Sequence, residues 1–596
     1  MTVSTMPQWL QIVDKKRNSR NEAIRRFIEA QDATSGHLHT AGPSNGTTDD
    51  ATSQETSFDS IGDLIGAISA GTLTATELCT AYIKRAVAAH NQVPSSTTEI
   101  SFILLIMTDE LVRQRRHLTE ILFDDALRQA NELDCFFKEN GRLVGPLHGV
   151  PMTLKDQFDV QGYDSTLGYV GRAFKPAEQD CVLVALLRRM GAIIIAKSNL
   201  PQSIMWCETE NPIFGLTTHP RNTDFTPGGS TGGEGTLLAL QGSVVGWGTD
   251  IGGSIRIPSH MLGLYGLKPS STRLPYQGVS VSTEGQEHVP SVIGPMSRSI
   301  DSLIEVTKAV IDSKPWDDDP KCSPLEWRDD MFKDAQTRPL VVAVMRDDGV
   351  VKLHPPVARV LDEVAQRLTQ AGHELVPWKP GTLHQECIDI MDQYYTADGG
   401  EDIKRDVAAG GEPFIPHVEA LVNRGKPISV YEYWQLNKQK LAAQKRYLDL
   451  WNSTKSTASG KPIDILLCPV MPHSAVPHRK CRWVGYTKVF NFVDYPSVVL
   501  PAGEVSKELD GTAVADMAAY EPRNALDEWN WNLFDLDAMD GMPIGVQVVA
   551  RRLQEEKILG AAKVVDMVLR GAGDDLQGRI PSLKDGLESR KRPQND

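Results

Sequence analysis

The sequence predicts one large α/β domain, a central mixed sheet covered by helices on both faces. Three observations carry this expectation. Short β-branched and aliphatic runs recur along the chain, as in residues 192–196, 341–344, 465–467 and 497–500. They are apolar throughout instead of alternating, which suits strands buried on both faces. Between them lie segments with apolar residues at helical spacing, and helices alternating with such strands build a layered α/β sheet. A chain of 596 residues, 41% hydrophobic and 23% charged, can bury a core of that size.

Taken in order, Trp9, Ile12, Val13, Ile24, Phe27 and Ile28 repeat at helical intervals among charges, so residues 1–35 form a helical arm. Residues 36–58 collapse into Ser, Thr, Gly, Asn and Asp and read as a flexible linker. The domain proper, residues 59–575, opens with Ile61, Leu64, Ile65 and Ile68, a stop at Gly71, and a second helix through Leu78, Tyr82 and Ile83, capped by Thr74 or Thr76. Residues 123–139 are again helical. Residues 145–151 turn sharply, and Met152 to Lys155 makes a short buried strand. Residues 180–189 are a helix that feeds the strand 192–196. From 316 to 480 the chain carries scattered Trp and Tyr, no repeat and few motifs. Residues 576–596 form a charged tail.

Composition removes several functional classes. Lys and Arg number 62 against 77 Asp and Glu, a net charge of -15, which repels phosphate backbones and anionic lipid, so no nucleic-acid partner is expected. The eight cysteines never form a C-x-x-C pair, a pattern of free thiols in a reducing compartment and not of a disulfide framework or zinc site. No apolar run has the length of a signal peptide or a membrane span. The expectation is a soluble cytoplasmic protein without metal, cofactor or transmembrane anchor, with a homodimer left open.

Chemistry concentrates in Thr226-Pro227-Gly228-Gly229-Ser230-Thr231-Gly232-Gly233-Glu234-Gly235 and in Gly246 to Pro258, which contains Asp250-Ile251-Gly252-Gly253-Ser254-Ile255-Arg256. Such glycine density is tolerated where main chain takes unusual dihedrals or approaches a ligand closely. A nucleotide-binding loop is disfavoured, because no lysine follows these glycines in the G-x-x-x-x-G-K-[ST] order. Gly228 to Gly232 does match G-x-S-x-G, the nucleophile elbow of α/β-hydrolases, which would make Ser230 the nucleophile with a histidine such as His473 as base. An elbow follows an apolar strand, however, and residues 221–227 are polar and turn-like. A glycine-serine loop that merely turns the chain is the remaining reading.

These blocks resemble the amidase signature. Gly228 to Pro258 with Gly266-Leu267-Lys268-Pro269, and upstream Gly145-Pro146-Leu147-His148-Gly149-Val150-Pro151 through Lys155-Asp156, match the family's pattern in order, with further echoes at 196–201, 501–503 and 541–547. The resemblance spans about Ser60 to Leu569 and implies the amidase-signature fold. The spacing is similar to that of the fatty-acid-amide-hydrolase and fungal acetamidase branch. Carried over, the resemblance implies Lys155 as base, Ser230 as a proton bridge on a cis Gly229–Ser230 peptide, and Ser254 as nucleophile. Ile251, Gly252, Gly253 and Ser254 N–H groups would form the oxyanion hole. Thr231, where many members carry Ser, Asp250 and Arg256 would support the loop. Ile204, Met205 and Trp206 would line the substrate pocket, although core packing accounts for them equally well.

A serine hydroxyl needs a base to become a nucleophile, and a lysine buried in an apolar strand loses its charge more readily. The expected reaction is hydrolysis of a small-molecule carboxamide, a small aliphatic or aryl amide, to the acid and ammonia or an amine. An esterase acting through Ser230 and a non-catalytic scaffold are the alternatives. Residues 92–117 interrupt the family pattern and read as an insertion or a misassigned splice boundary, which peptide mapping over 95–115 distinguishes.

Overall fold

The computed structural model describes residues 6–35, 56–91, 116–512 and 519–571. The linker and the 92–117 insertion therefore fall almost wholly, and the charged tail entirely, outside the described residues. Eleven strands form one mixed sheet: β1 (Leu118–Ile121), β2 (Pro151–Lys155), β3 (Ile193–Ser198), β6 (Val245–Asp250), β7 (Tyr265–Lys268), β8 (Val292–Ser297), β9 (Val341–Val344), β10 (Glu374–Pro377), β11 (Ile465–Pro469), β12 (Ser497–Glu504) and β13 (Pro543–Val549). Their order is β1-β3-β2-β6-β8-β7-β12-β13-β11-β9-β10, and β4 (Glu210–Asn211) pairs with β5 (Gly215–Leu216) in a small separate ribbon. β2 runs parallel to both β3 and β6, β9 to both β10 and β11, and the pairs between these groups are antiparallel.

The apolar strands are buried on both faces, as their composition requires: Ile193, Ile194, Ile195 and Ala196 have almost no exposure, nor do Val341 to Val344. One apolar core surrounds β2, β3 and β6, and a second surrounds β9, β11, β12 and β13. The two helices expected after residue 60 are Ile61–Ser69 and Ala75–Asn91, separated by Gly71 at φ 69°. Thr74, not Thr76, caps the second: Glu77 N–H donates to its hydroxyl at 3.1 Å while the Glu77 carboxylate accepts from Thr74 N–H at 2.8 Å. No described helix is long and apolar enough to cross a membrane.

The arm is a helix, Gln8–Ser35, packed on the edge of the sheet. Its Lys16 bridges Glu120 and Asp164, each at 2.6 Å, and Arg20 donates to the Leu118 carbonyl of β1 at 3.2 Å. Val13, Ile24, Phe27 and Ile28 are buried beneath it.

The sequence pattern did not reveal β6. Its Val-Gly-Trp-Gly-Thr-Asp reads as loop, yet all six residues are buried. Glycine is required at 246 because a Cβ there would meet the Glu234 carboxylate, 2.2 Å away, on the helix Gly232–Ala239 that packs across the strand.

Candidate active site

β2 and β6 are parallel neighbours in the register Leu154↔Trp247, so their carboxyl ends open on one edge of the sheet. Ligands gather beyond such strand ends in α/β sheets. Lys155 is the last residue of β2. Ser254 follows β6 on a turn that leads into the helix Arg256–Leu262. Ser230 lies on the loop before the helix Gly232–Ala239, immediately after a cis Gly229–Ser230 peptide. The loop and the turn are stitched together by Thr231 N–H, which donates to the Ser254 carbonyl at 3.1 Å. Thr231 Oγ1 lies 3.4 Å from the Thr249 carbonyl.

Lys155 is fully buried, and its Nζ lies 2.6 Å from Ser230 Oγ and 2.8 Å from Thr249 Oγ1. The carboxylates nearest to it are engaged elsewhere. Asp156 accepts from Thr166 and Leu167, and Asp250 faces Arg256. Burial therefore dominates and pushes the Lys155 pKa down to about 7, against smaller opposing effects of Asp250 and Asp156.

The polarity of the surrounding bonds is determined. Gln157 Nε2 donates to the Ser280 carbonyl at 2.9 Å, so its Oε1 accepts from Thr249 at 2.7 Å. With its proton committed to Gln157, Thr249 Oγ1 receives a proton of Lys155. Gln157 and Thr249 were not singled out in the sequence, although they stand two residues after Lys155 and one before Asp250.

Asp250 and Arg256 form a completely buried ion pair, Arg256 Nη2 to Asp250 Oδ1 at 2.9 Å and Nε to Oδ2 at 3.0 Å. Burial alone would raise the Asp250 pKa, but the guanidinium and the Asn491 amide outweigh it and hold it at about 2. The carboxylate also takes the N–H of Gly253 at 2.8 Å and of Ile255 at 3.2 Å. Gly253 N–H, expected in an oxyanion hole, is thus turned inward to Asp250, whereas Ile251, Gly252 and Ser254 N–H are not among the groups this carboxylate holds. The carbonyls of the turn are fixed as well. Asn491 Nδ2 donates to Asp250 O at 3.3 Å, Thr487 Oγ1 to Gly252 O at 2.7 Å and Ile257 N–H to Gly253 O at 2.7 Å. Thr487 and Asn491 come from the helix Gly485–Phe492, more than 230 residues away in sequence, and no local signal marks them.

A cavity of about 1150 Å³ opens onto Ser230, Thr249 and Ser254. Ile204 and Met205 line it together with Ile251. Trp206 is not part of this lining and stacks on His417, ring centroids 4.7 Å apart. Cys207 is buried with its thiol 3.7 Å from the Cys481 carbonyl, the packing of a small apolar residue. His473 is buried, with Nδ1 2.7 Å from the Ser474 carbonyl, and burial pushes its pKa down to about 3.

Comparison with known proteins agrees with this architecture. The family model described as Amidase matches residues 106–559. The chain is 59% identical over 452 residues to Amidase 1 of Gibberella moniliformis, covering 76% of this chain and 86% of the relative. It is 38% identical over 516 residues to Acetamidase of Emericella nidulans, covering 86% and 89%. Among solved structures, Fatty acid amide hydrolase superposes with a TM-score of 0.80 at 29% identity, over 94% of this chain and 95% of that one. The chain belongs to the amidase family, the amidase-signature enzymes, and is a hydrolase of carboxamide bonds.

Proposed function

We propose that this amidase acts through an acyl-enzyme on Ser254, with Lys155 and Ser230 as the proton relay. The observation that carries the reading is a buried lysine with no carboxylate partner among the described residues, 2.6 Å from a serine that shares a cavity with Ser254. A neutral amine donates one proton to Thr249 and turns its lone pair to Ser230, the polarity a base requires. As Ser254 Oγ attacks the carbonyl carbon, its proton passes to Ser230 Oγ while Ser230 gives its own to Lys155 Nζ. The developing oxyanion is received by the N–H groups of Ile251, Gly252 and Ser254, each donor worth roughly 3 to 4 kcal/mol to the barrier. Ser230 then protonates the departing nitrogen and is reprotonated by Lys155. The C–N bond breaks, and water hydrolyses the Ser254 ester through the same relay. Asp250 and Arg256 hold the turn.

Small aliphatic or aryl amides are the favoured substrates, a reading supported by the relative named Acetamidase. Seven of the eight free thiols are buried, which suits an intracellular, reducing setting.

Fluorophosphonate labelling with peptide mass spectrometry tests the mechanism, alongside ammonia release from a panel of small and aryl amides. An adduct on Ser254, with Ser254→Ala inert and Ser230→Ala slowed by about 10² or more, is the expected result. An adduct on Ser230 would transfer the protein to the esterase reading, and no adduct to a binding scaffold.

A further inference from the structure

We infer that Tyr395 is a positioning residue for the oxyanion hole, acting by pinning the Ile251 carbonyl. This rests on the Ser254 acyl-enzyme reading and extends it to a residue 141 positions away that no sequence motif marks.

The peptide unit is planar and, when trans, its C=O and N–H point in opposite directions. A hydrogen bond to one carbonyl therefore aims the N–H of the next residue. Along the turn after β6 each carbonyl from Asp250 to Gly253 has such a partner, and each partner sets one N–H. Asn491 on Asp250 O aims Ile251 N–H, and Ile257 N–H on Gly253 O aims Ser254 N–H. Thr487 on Gly252 O aims Gly253 N–H, which goes to Asp250. The unit between Ile251 and Gly252 is held by the Tyr395 hydroxyl, which donates to Ile251 O at 2.7 Å. Its N–H is that of Gly252, central among the three donors assigned above to the oxyanion. Glycine at 252 admits the phenol, since a Cβ there would stand 3.2 Å from Tyr395 Oη.

Tyr395 is itself braced. It is the last residue of the helix Leu383–Tyr395, and its neighbour Tyr394 anchors that end through Asn437 Oδ1 at 2.7 Å and a stack on His288 at 4.6 Å. Lys488, adjacent to Thr487, lies 4.7 Å from the centre of the Tyr395 ring and pairs with Asp392 one turn earlier on the same helix. The phenol is thus clamped between a lysine and the turn, with its hydroxyl directed at Ile251 O. A residue that acts this way changes the stability of the oxyanion, not of bound substrate.

Tyr395→Phe keeps the ring and removes only this bond. The expected result is a kcat lowered about tenfold with KM within twofold. Affinity for a boronic acid or trifluoromethyl ketone, which form the tetrahedral adduct, falls by the same factor. Substrate affinity measured on Ser254→Ala and on Ser254→Ala/Tyr395→Phe is unchanged, and so is the melting temperature. Lys488→Met, which loosens the brace without touching the bond, lowers kcat and adduct affinity together by a smaller factor. Equal adduct affinity in wild type and Tyr395→Phe overturns the inference. So does a parallel loss of substrate and adduct binding, which marks a pocket wall. Fluorophosphonate labelling of the wild type keeps the two readings apart: without a Ser254 adduct the catalytic reading itself fails, whereas labelling at Ser254 with an unaffected Tyr395→Phe removes only Tyr395.

Discussion

Replacing Lys155 by methionine should abolish turnover and at the same time stabilise the protein. The side chain is wholly buried, and burial lowers its pKa from 10.5 to about 7. At 1.36 kcal/mol per pH unit, holding this lysine in the folded state costs roughly 5 kcal/mol at and below pH 7. The sign follows from proton binding. Between pH 7 and 10.5 the unfolded chain keeps the proton and the folded one has lost it, so folding stability rises across that window. Methionine has similar length and no charge to desolvate. It forfeits the bonds to Ser230 and Thr249, about 1 to 2 kcal/mol together, while Thr249 retains Gln157. The net expectation is a gain of about 3 kcal/mol at pH 6 that shrinks as the pH approaches 10. Denaturant unfolding of both proteins at pH 6, 8 and 10, with ammonia release alongside, measures it. Loss of activity by about 10³ or more is expected, and in the wild type kcat/KM should rise with pH and level off above about 7. A variant less stable at pH 6, or a stability difference independent of pH, would refute the idea that Lys155 is a buried neutral base.

Two further substitutions probe the turn. Asp250→Asn leaves the Arg256 guanidinium buried without its counter-charge and should destabilise the protein by about 3 to 5 kcal/mol at neutral pH. Because the wild-type carboxylate is held down at about 2, its contribution is present above pH 4 and lost as the pH falls toward 2, so the gap measured by unfolding should narrow in acid. Gly253→Ala places a Cβ at φ 133°, 2.4 Å from Thr487 Oγ1. The turn must then distort, and the rate of fluorophosphonate labelling should drop by about 10² with the melting temperature lowered only modestly. Labelling at the wild-type rate would show that the turn's geometry is not needed for attack.

Much of the site was legible because its chemistry lies in short contiguous blocks. Lys155, Ser230 and Ser254 each sit inside a motif whose residue types and order are informative, and the structure brings Lys155 and Ser230 into contact and Ser254 onto the same cavity. β6 was not legible, because its two glycines serve the packing of a helix and a side chain across it and so erase the apolar pattern that marks β2 and β3. The family resemblance places Trp206 in the pocket lining with Ile204 and Met205, whereas the local backbone sends it to His417. Gly253 N–H, expected in the oxyanion hole, donates to the Asp250 carboxylate. Successive N–H groups in a turn point in different directions, and the Asp250 carboxylate claims that one.

The sequence by itself determined the α/β layering, through strands too apolar to tolerate an exposed face, and it singled out Lys155, Ser230 and Ser254 as the candidate reacting side chains. Only the tertiary structure decided how those side chains are tuned. Burial of β2 on both faces lowers the Lys155 pKa, and the orientation of three of the four N–H groups after β6 depends on Tyr395, Thr487 and Asn491. These are contacts between segments more than 140 residues apart. Desolvation and peptide-plane orientation are set by what packs around a residue, and neither is written in the residue's own neighbourhood in the chain.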